Sequence, residues 1–128
     1  MGVDDQTITI TTELDQRIDP LLPVWEHLIT ASYDTDDTSV ATQAININGI
    51  LLKVVISVPV TTATGTTSQV LIKDNNDVTI FDSGELAESA TPYTFNLFEA
   101  LSGSIDVSYE PSGAAGSAET PTITLRGI

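Results

Sequence analysis

Polar and apolar residues alternate along most of the chain. Thr7-Ile8-Thr9-Ile10-Thr11, Ile45-Asn46-Ile47-Asn48 and Tyr93-Thr94-Phe95-Asn96-Leu97 each repeat with period two. So do Ile105-Asp106-Val107-Ser108-Tyr109 and Thr122-Ile123-Thr124-Leu125. That period sends successive side chains to opposite faces, so each run predicts a strand with one row in a core. The stretch 50–60 is different. Ile50, Leu52, Val54, Ile56 and Val58 form one apolar row, and Leu51 and Val55 on the other row are apolar too. A strand of that kind is expected to be central or covered on both faces.

Turn residues separate the runs. Asn48-Gly49 predicts a tight type I′ hairpin between two strands. Lys73-Asp74-Asn75-Asn76-Asp77 predicts a hairpin loop joining Val70–Ile72 to Val78–Phe81. Ser83-Gly84, Ser102-Gly103 and Pro111-Ser112-Gly113 predict further turns. Between Asp15 and Thr30, Pro20 and Pro23 interrupt any continuous element, and Val24–Ile29 fits a strand or one helical turn starting near Pro23, the continuation through Thr30–Tyr33 favouring the strand. There is no internal repeat.

Composition strengthens the β reading. Thr, Ile and Val number 19, 13 and 10 among the 128 residues, and β-branched side chains lose freedom in helices and pack well on sheets. The expected fold is all-β: a single antiparallel β-sandwich, jelly-roll-like, with an extended N-terminal arm. Residues 1–23 form the arm and 24–128 the sandwich. For Thr7–Thr11 two readings stand: first strand of the same sandwich, or an arm that pairs with a neighbouring subunit. The Thr-, Ser-, Gly- and Ala-rich loops Pro59–Thr67 and Pro111–Pro121 are expected to be mobile or to touch a neighbour.

Charge then removes whole classes of function. Eighteen acidic residues against four basic ones give −14. The basic residues are Arg17, Lys53, Lys73 and Arg126. Binding nucleic acid needs clustered Lys and Arg, and so does docking on an anionic membrane, so neither partner is expected. The N-terminal residues Met1–Asp5 lack the basic and apolar regions of a signal peptide, and Gln6 breaks a myristoylation pattern. With no cysteine, thiol catalysis, disulfides and cysteine-ligated metals are out of reach.

Candidate chemistry is thin. A Ser-His-Asp triad would have to use His27, the one histidine, and no Gly-x-Ser-x-Gly elbow is present. Glu85 and Glu88 could pair for glycoside hydrolysis, but aromatics to line a sugar cleft are few. Calcium is the best metal candidate, at Asp34–Asp37 or Asp74–Asp77. Neither cluster follows the EF-hand pattern, and Asp and Asn are ordinary turn formers. Threonine-rich strands can bind ice or sugar, but these threonines form no regular array. No enzyme activity, cofactor or metal is therefore expected.

Three passages carry a resemblance. They are Val70-Leu71-Ile72-Lys73-Asp74 with the following Asp82–Thr91, the strand Leu101–Tyr109, and Ser112–Ala118 with the closing Thr-Ile-Thr-Leu run. Over roughly residues 45–127, the chain resembles small all-β structural proteins of tailed bacteriophages, of the capsid cement or decoration type. The resemblance implies a virion protein on the capsid surface, made in the host cytoplasm. It would bind the major capsid protein or other virion proteins and form a homo-oligomer, with a trimer as the first guess. Contact is expected through Ile8, Ile10 and Leu14 of the arm, through Trp25, and through Thr62 and Thr64 of the first long loop. The alternatives are a tail, neck or baseplate subunit, or a β-sandwich module that binds carbohydrate or a receptor.

Overall fold

The computed structural model describes residues 6–11, 24–34, 38–61, 66–113 and 116–128, with only the backbone described for 6–11. These residues form eight strands and no helix: β1 (Gln6–Thr11), β2 (Trp25–Tyr33), β3 (Ala41–Ser57), β4 (Thr67–Lys73), β5 (Thr79–Asp82), β6 (Leu86–Ala87), β7 (Tyr93–Pro111) and β8 (Thr122–Gly127). All pairings are antiparallel, in the order β1-β2-β8-β3-β7-β4-β5, with β6 beside β4.

This continuous ladder folds back on itself as a sandwich. β2 and β7 stand three strand spacings apart, roughly 14 Å in a flat sheet, yet the Tyr33 and Tyr109 rings meet at 5.8 Å. Phe81 lies beside Ile72, and Ile72 beside Val107. Phe95 precedes Val107 by about 40 Å of extended strand, yet its ring sits 5.1 Å from that of Phe81. Both contacts require β7 to turn a corner, and β3 turns with it because the two pair from Ala41↔Tyr109 to Ile56↔Tyr93. The first layer holds β1, β2, β8, the end of β3 and the start of β7. The second holds β5, β4, the end of β7 and the start of β3.

The corner has a local cause. Gly103 and Gly49 hold φ of 108° and 151°, and a bulge shifts the register between Leu51 and Lys53 against both β7 and β8. Bulges and glycines are the usual means by which a strand passes between layers. At the bulge both Leu51 and Val54 are fully buried. The row expected through Ile50, Leu52, Val54, Ile56 and Val58 is therefore broken: Leu51 takes the inner place, and Ile50 and Leu52 turn outward. Position 50–57 is central as expected, since β3 pairs on both sides there.

Two expected turns are corrected. Asn48-Gly49 does not close a hairpin, and Ser102-Gly103 does not end a strand; each pair lies inside a long strand at the corner. Gly49 is glycine because the chain crosses over it: a Cβ there would overlap the Ile128 carbonyl and press on Trp25 Nε1 at 3.2 Å. The other turns stand where the residues place them. Asp74 carboxylate accepts the N–H groups of Asn76 (2.9 Å) and Val78 (3.0 Å), closing the β4–β5 loop. Asp77 adopts a left-handed φ of 63° in that loop. β5 begins one residue later than expected, at Thr79.

The inner faces supply the core. Val54, Ile56, Val70, Ile72 and Leu125 are completely buried, and each such side chain contributes about 1.5–3 kcal/mol relative to exposure. Ile29, Ala31, Ala41, Val107, Tyr109, Pro121 and Ile123 surround a void of about 10 Å³ where the layers meet. β1 pairs with β2 of its own chain, setting Ile8 opposite Ala31 and Ile10 opposite Ile29.

The tightest approach at the corner yields a prediction. A Cβ on Gly127 would overlap the Ile50 carbonyl and lie 2.8 Å from Trp25 Cε2. Gly127→Ala is expected to cost about 1–3 kcal/mol, seen as a lower urea midpoint with an unchanged m-value.

Candidate interaction surface

The two outer faces of the sandwich differ in chemistry. On the first layer, directly opposed residues share a face, so the register reads as rows. Thr30, Thr122 and Ser57 form one, and Leu28, Thr124, Val55 and Thr94 the next. Then come Glu26, Arg126, Lys53 and Asn96. Uncharged, half-buried threonines and aliphatics dominate this face. Its charges are Glu26, Lys53 and Arg126, with Arg126 Nε 2.6 Å from Glu26 Oε1. That ion pair is partly exposed and contributes about 0–1 kcal/mol.

An apolar patch borders these rows at the corner. Ile50 lies opposite Ala100 and exchanges both backbone hydrogen bonds with Ile128, at 2.8 and 3.0 Å. Leu52 faces the extra residue that β7 carries at Leu97-Phe98 between the pairs Leu51↔Glu99 and Lys53↔Asn96. Phe98 falls on the exposed row of β7 with Thr94 and Asn96, 72% exposed, and Ile128, across β3, is 46% exposed. Exposing an aromatic this far forfeits burial free energy unless something covers it.

The outer face of the second layer is acidic. Asp82, Asp106 and Glu110 are exposed on β5 and β7, and Asp77 lies 3.6 Å from Lys73 at the loop. A groove of about 210 Å³ is lined by Val40, Thr42, Leu71, Lys73, Asp77, Asp106 and Ser108.

The ends of the sandwich carry polar groups that fasten the structure. Tyr33 hydroxyl donates to the carbonyls of Ser39 (2.9 Å) and Tyr109 (3.1 Å). Tyr109 hydroxyl donates to Ser68 Oγ at 2.8 Å, and burial raises its pKa far above the ordinary tyrosine range. Glu88 carboxylate accepts from the Thr61 amide (3.3 Å) and hydroxyl and from the Thr66 hydroxyl (3.1 Å). It thereby ties together the described ends of the first long loop. Burial, helped by the charge of Glu88, raises the Glu119 pKa.

Ile8 and Ile10 lie on the edge strand β1; Leu14, Thr62 and Thr64 lie outside the described residues. Trp25 packs partly buried against the core, over Gly49 and Gly127, with its ring 5.5 Å from that of His27. Trp25 Nε1 and His27 Nδ1 are buried with no hydrogen-bond partner among the described residues. Of the calcium candidates, Asp74 spends a carboxylate oxygen on its own loop, and residues 35–37 of the other cluster are outside the described residues. Among the described residues no three His, Asp or Glu side chains are grouped to hold a metal.

Phe98 was absent from the expected contacts, although a signal existed. Tyr93, Phe95 and Leu97 occupy one alternating row, which leaves Phe98 on the polar row with Thr94 and Asn96.

Known proteins add little to this geometry. No family model matches the chain, and no curated protein matches it. Among solved structures, an enzymatically active domain of bacteriophage CBA120 tailspike protein 4 aligns at 17% identity and TM-score 0.42, over 95% of this chain and 18% of its own. A family 29 carbohydrate-binding module complexed with cellulohexaose aligns at 11% and 0.44, over 95% and 90%. A T=1 particle derived from infectious bursal virus aligns at 14% and 0.45, over 86% and 35%. The chain thus spans a small part of the tailspike and bursal virus chains, and likeness at this level carries no functional argument.

His27 generates a pH prediction. Burial lowers its pKa below the ordinary 6.5, so the unfolded chain binds the proton more readily than the folded one. The associated stability is present above 6.5 and is lost as pH falls from there through the folded value. His27→Gln is expected to flatten the fall in melting temperature over that window, measured as a Tm–pH profile beside the parent protein.

Proposed function

We propose that this chain is a virion structural protein of the cement or decoration kind, placed on the outside of a capsid. It would act by contact with its neighbours rather than by chemistry. The observation that carries this reading is the outer face of the first layer. On a chain of charge −14, that face gathers exposed Phe98 and Ile128 with Ile50 and Leu52, and its charges are Lys53 and the Arg126–Glu26 pair. Apolar patches ringed by polar residues are typical of protein–protein contacts. Among the other described residues carboxylates outnumber Lys73, and a strongly negative charge keeps many copies soluble before assembly.

The reading also covers the N-terminal segment. β1 is an edge strand whose second side has no partner among the described residues, and an edge of that kind can add a strand from another chain. Attachment to coat subunits would run through residues 1–23, by the open backbone edge of β1 and by Leu14, while Ile8 and Ile10 stand in register with the core residues Ala31 and Ile29. The loop carrying Thr62 and Thr64 would contribute a second contact, and a trimer would repeat both three times. Binding only to the assembled shell stabilises the shell by linkage.

Co-sedimentation with intact shells of the parent virus tests this. Full-length protein is expected to saturate the shells and raise their disassembly temperature, and protein lacking residues 1–14 is expected to lose most of its occupancy. Truncated protein that still fills every site would remove the arm from the account. Full-length protein that ignores shells altogether would remove the capsid reading.

A further inference from the structure

From the two outer faces we propose that the chain associates head to tail with a second copy of itself. Phe98 of one copy would seat in the groove beside Val40 and Leu71 of the next. Head-to-tail association does not require attachment to a virion, so either reading can fail alone.

Three observations meet here. Phe98 is the most exposed large apolar side chain among the described residues, at 72%. It stands at the bulge in the part of β7 that pairs with β3 on one side, with its other side open to an approaching partner among the described residues. On the opposite layer, the groove of about 210 Å³ offers Val40 and Leu71 as an apolar lining and is large enough for a benzyl group.

Charge fixes which face meets which. Lys53 and Arg126 lie side by side on the Phe98 face, where Glu26 balances one of them. The groove face carries Asp77, Asp82, Asp106 and Glu110 against Lys73. Opposed unlike patches steer association and set its orientation. Two Phe98 faces would set cations against cations, and two groove faces carboxylates against carboxylates. The complementary match joins unlike faces, and they lie on opposite sides of the sandwich. Such a heterologous contact builds a ring if its rotation closes and a filament if it does not. The overall charge does not forbid it, because at physiological ionic strength repulsion is screened beyond about 8 Å.

Sedimentation velocity over a concentration series tests this. Wild-type protein is expected to assemble. Phe98→Asp on one face and Val40→Asp on the other are each expected to weaken assembly roughly tenfold or more, with unchanged thermal melts, since both side chains are exposed. Thr42→Arg, also exposed in the groove, serves if Val40→Asp fails to fold. The decisive sample is an equimolar mixture of the two variants. Each retains one intact half of the contact, so the mixture is expected to form a dimer and stop there. Wild-type protein that stays monomeric throughout, a Phe98→Asp variant that assembles normally, or a mixture that forms no dimer would each overturn the proposal.

Discussion

Everything in this molecule depends on the passage of β3 and β7 together from one layer to the other. The two strands stay paired along nearly their whole length while turning a corner. Backbone hydrogen bonds allow that turn only where side chains leave room and the register can slip. Gly49 and Gly103 leave the room, and the bulges at Leu51–Lys53 and Leu97-Phe98 take up the slip. Once the corner is made, Tyr33 reaches Tyr109 and Phe81 reaches Phe95 across the core.

The same constraint creates the surface argued to carry function. Closing the corner brings Gly127 against Trp25 and pairs Ile128 with Ile50. The bulge that preserves Leu51 and Val54 for the core turns Leu52 outward, opposite the stretch of β7 whose outer row carries Phe98. An apolar patch at that place is thus a consequence of how the sheet bends. What distinguishes it from incidental exposure is its setting, between threonine rows and cations on a strongly acidic chain.

Much of the fold was legible because period-two alternation states its meaning directly. Val70–Ile72, Ile105–Tyr109 and Thr122–Leu125 fell where their apolar rows placed them, and the Asp74 loop closed as its turn residues required. The corner was not legible. Asn48-Gly49 and Ser102-Gly103 look locally like hairpin turns, and only the long-range pairing of β3 with β7 makes them bends inside strands. The interaction surface was half legible. Phe98 stood out of its row in the sequence, whereas Ile128 and Lys53 join it only through strand order. Trp25, one of the expected contacts, packs partly buried over two glycines, where its indole fills the space their missing side chains leave.

The central claim is that the Phe98 face is covered when the protein is at work. Hydroxyl-radical footprinting, read residue by residue by mass spectrometry, tests it on assembled virions against dilute, isolated protein. The account predicts that Phe98 oxidises readily in dilute protein and is strongly protected in the virion. Equal oxidation of Phe98 in the two samples would contradict it.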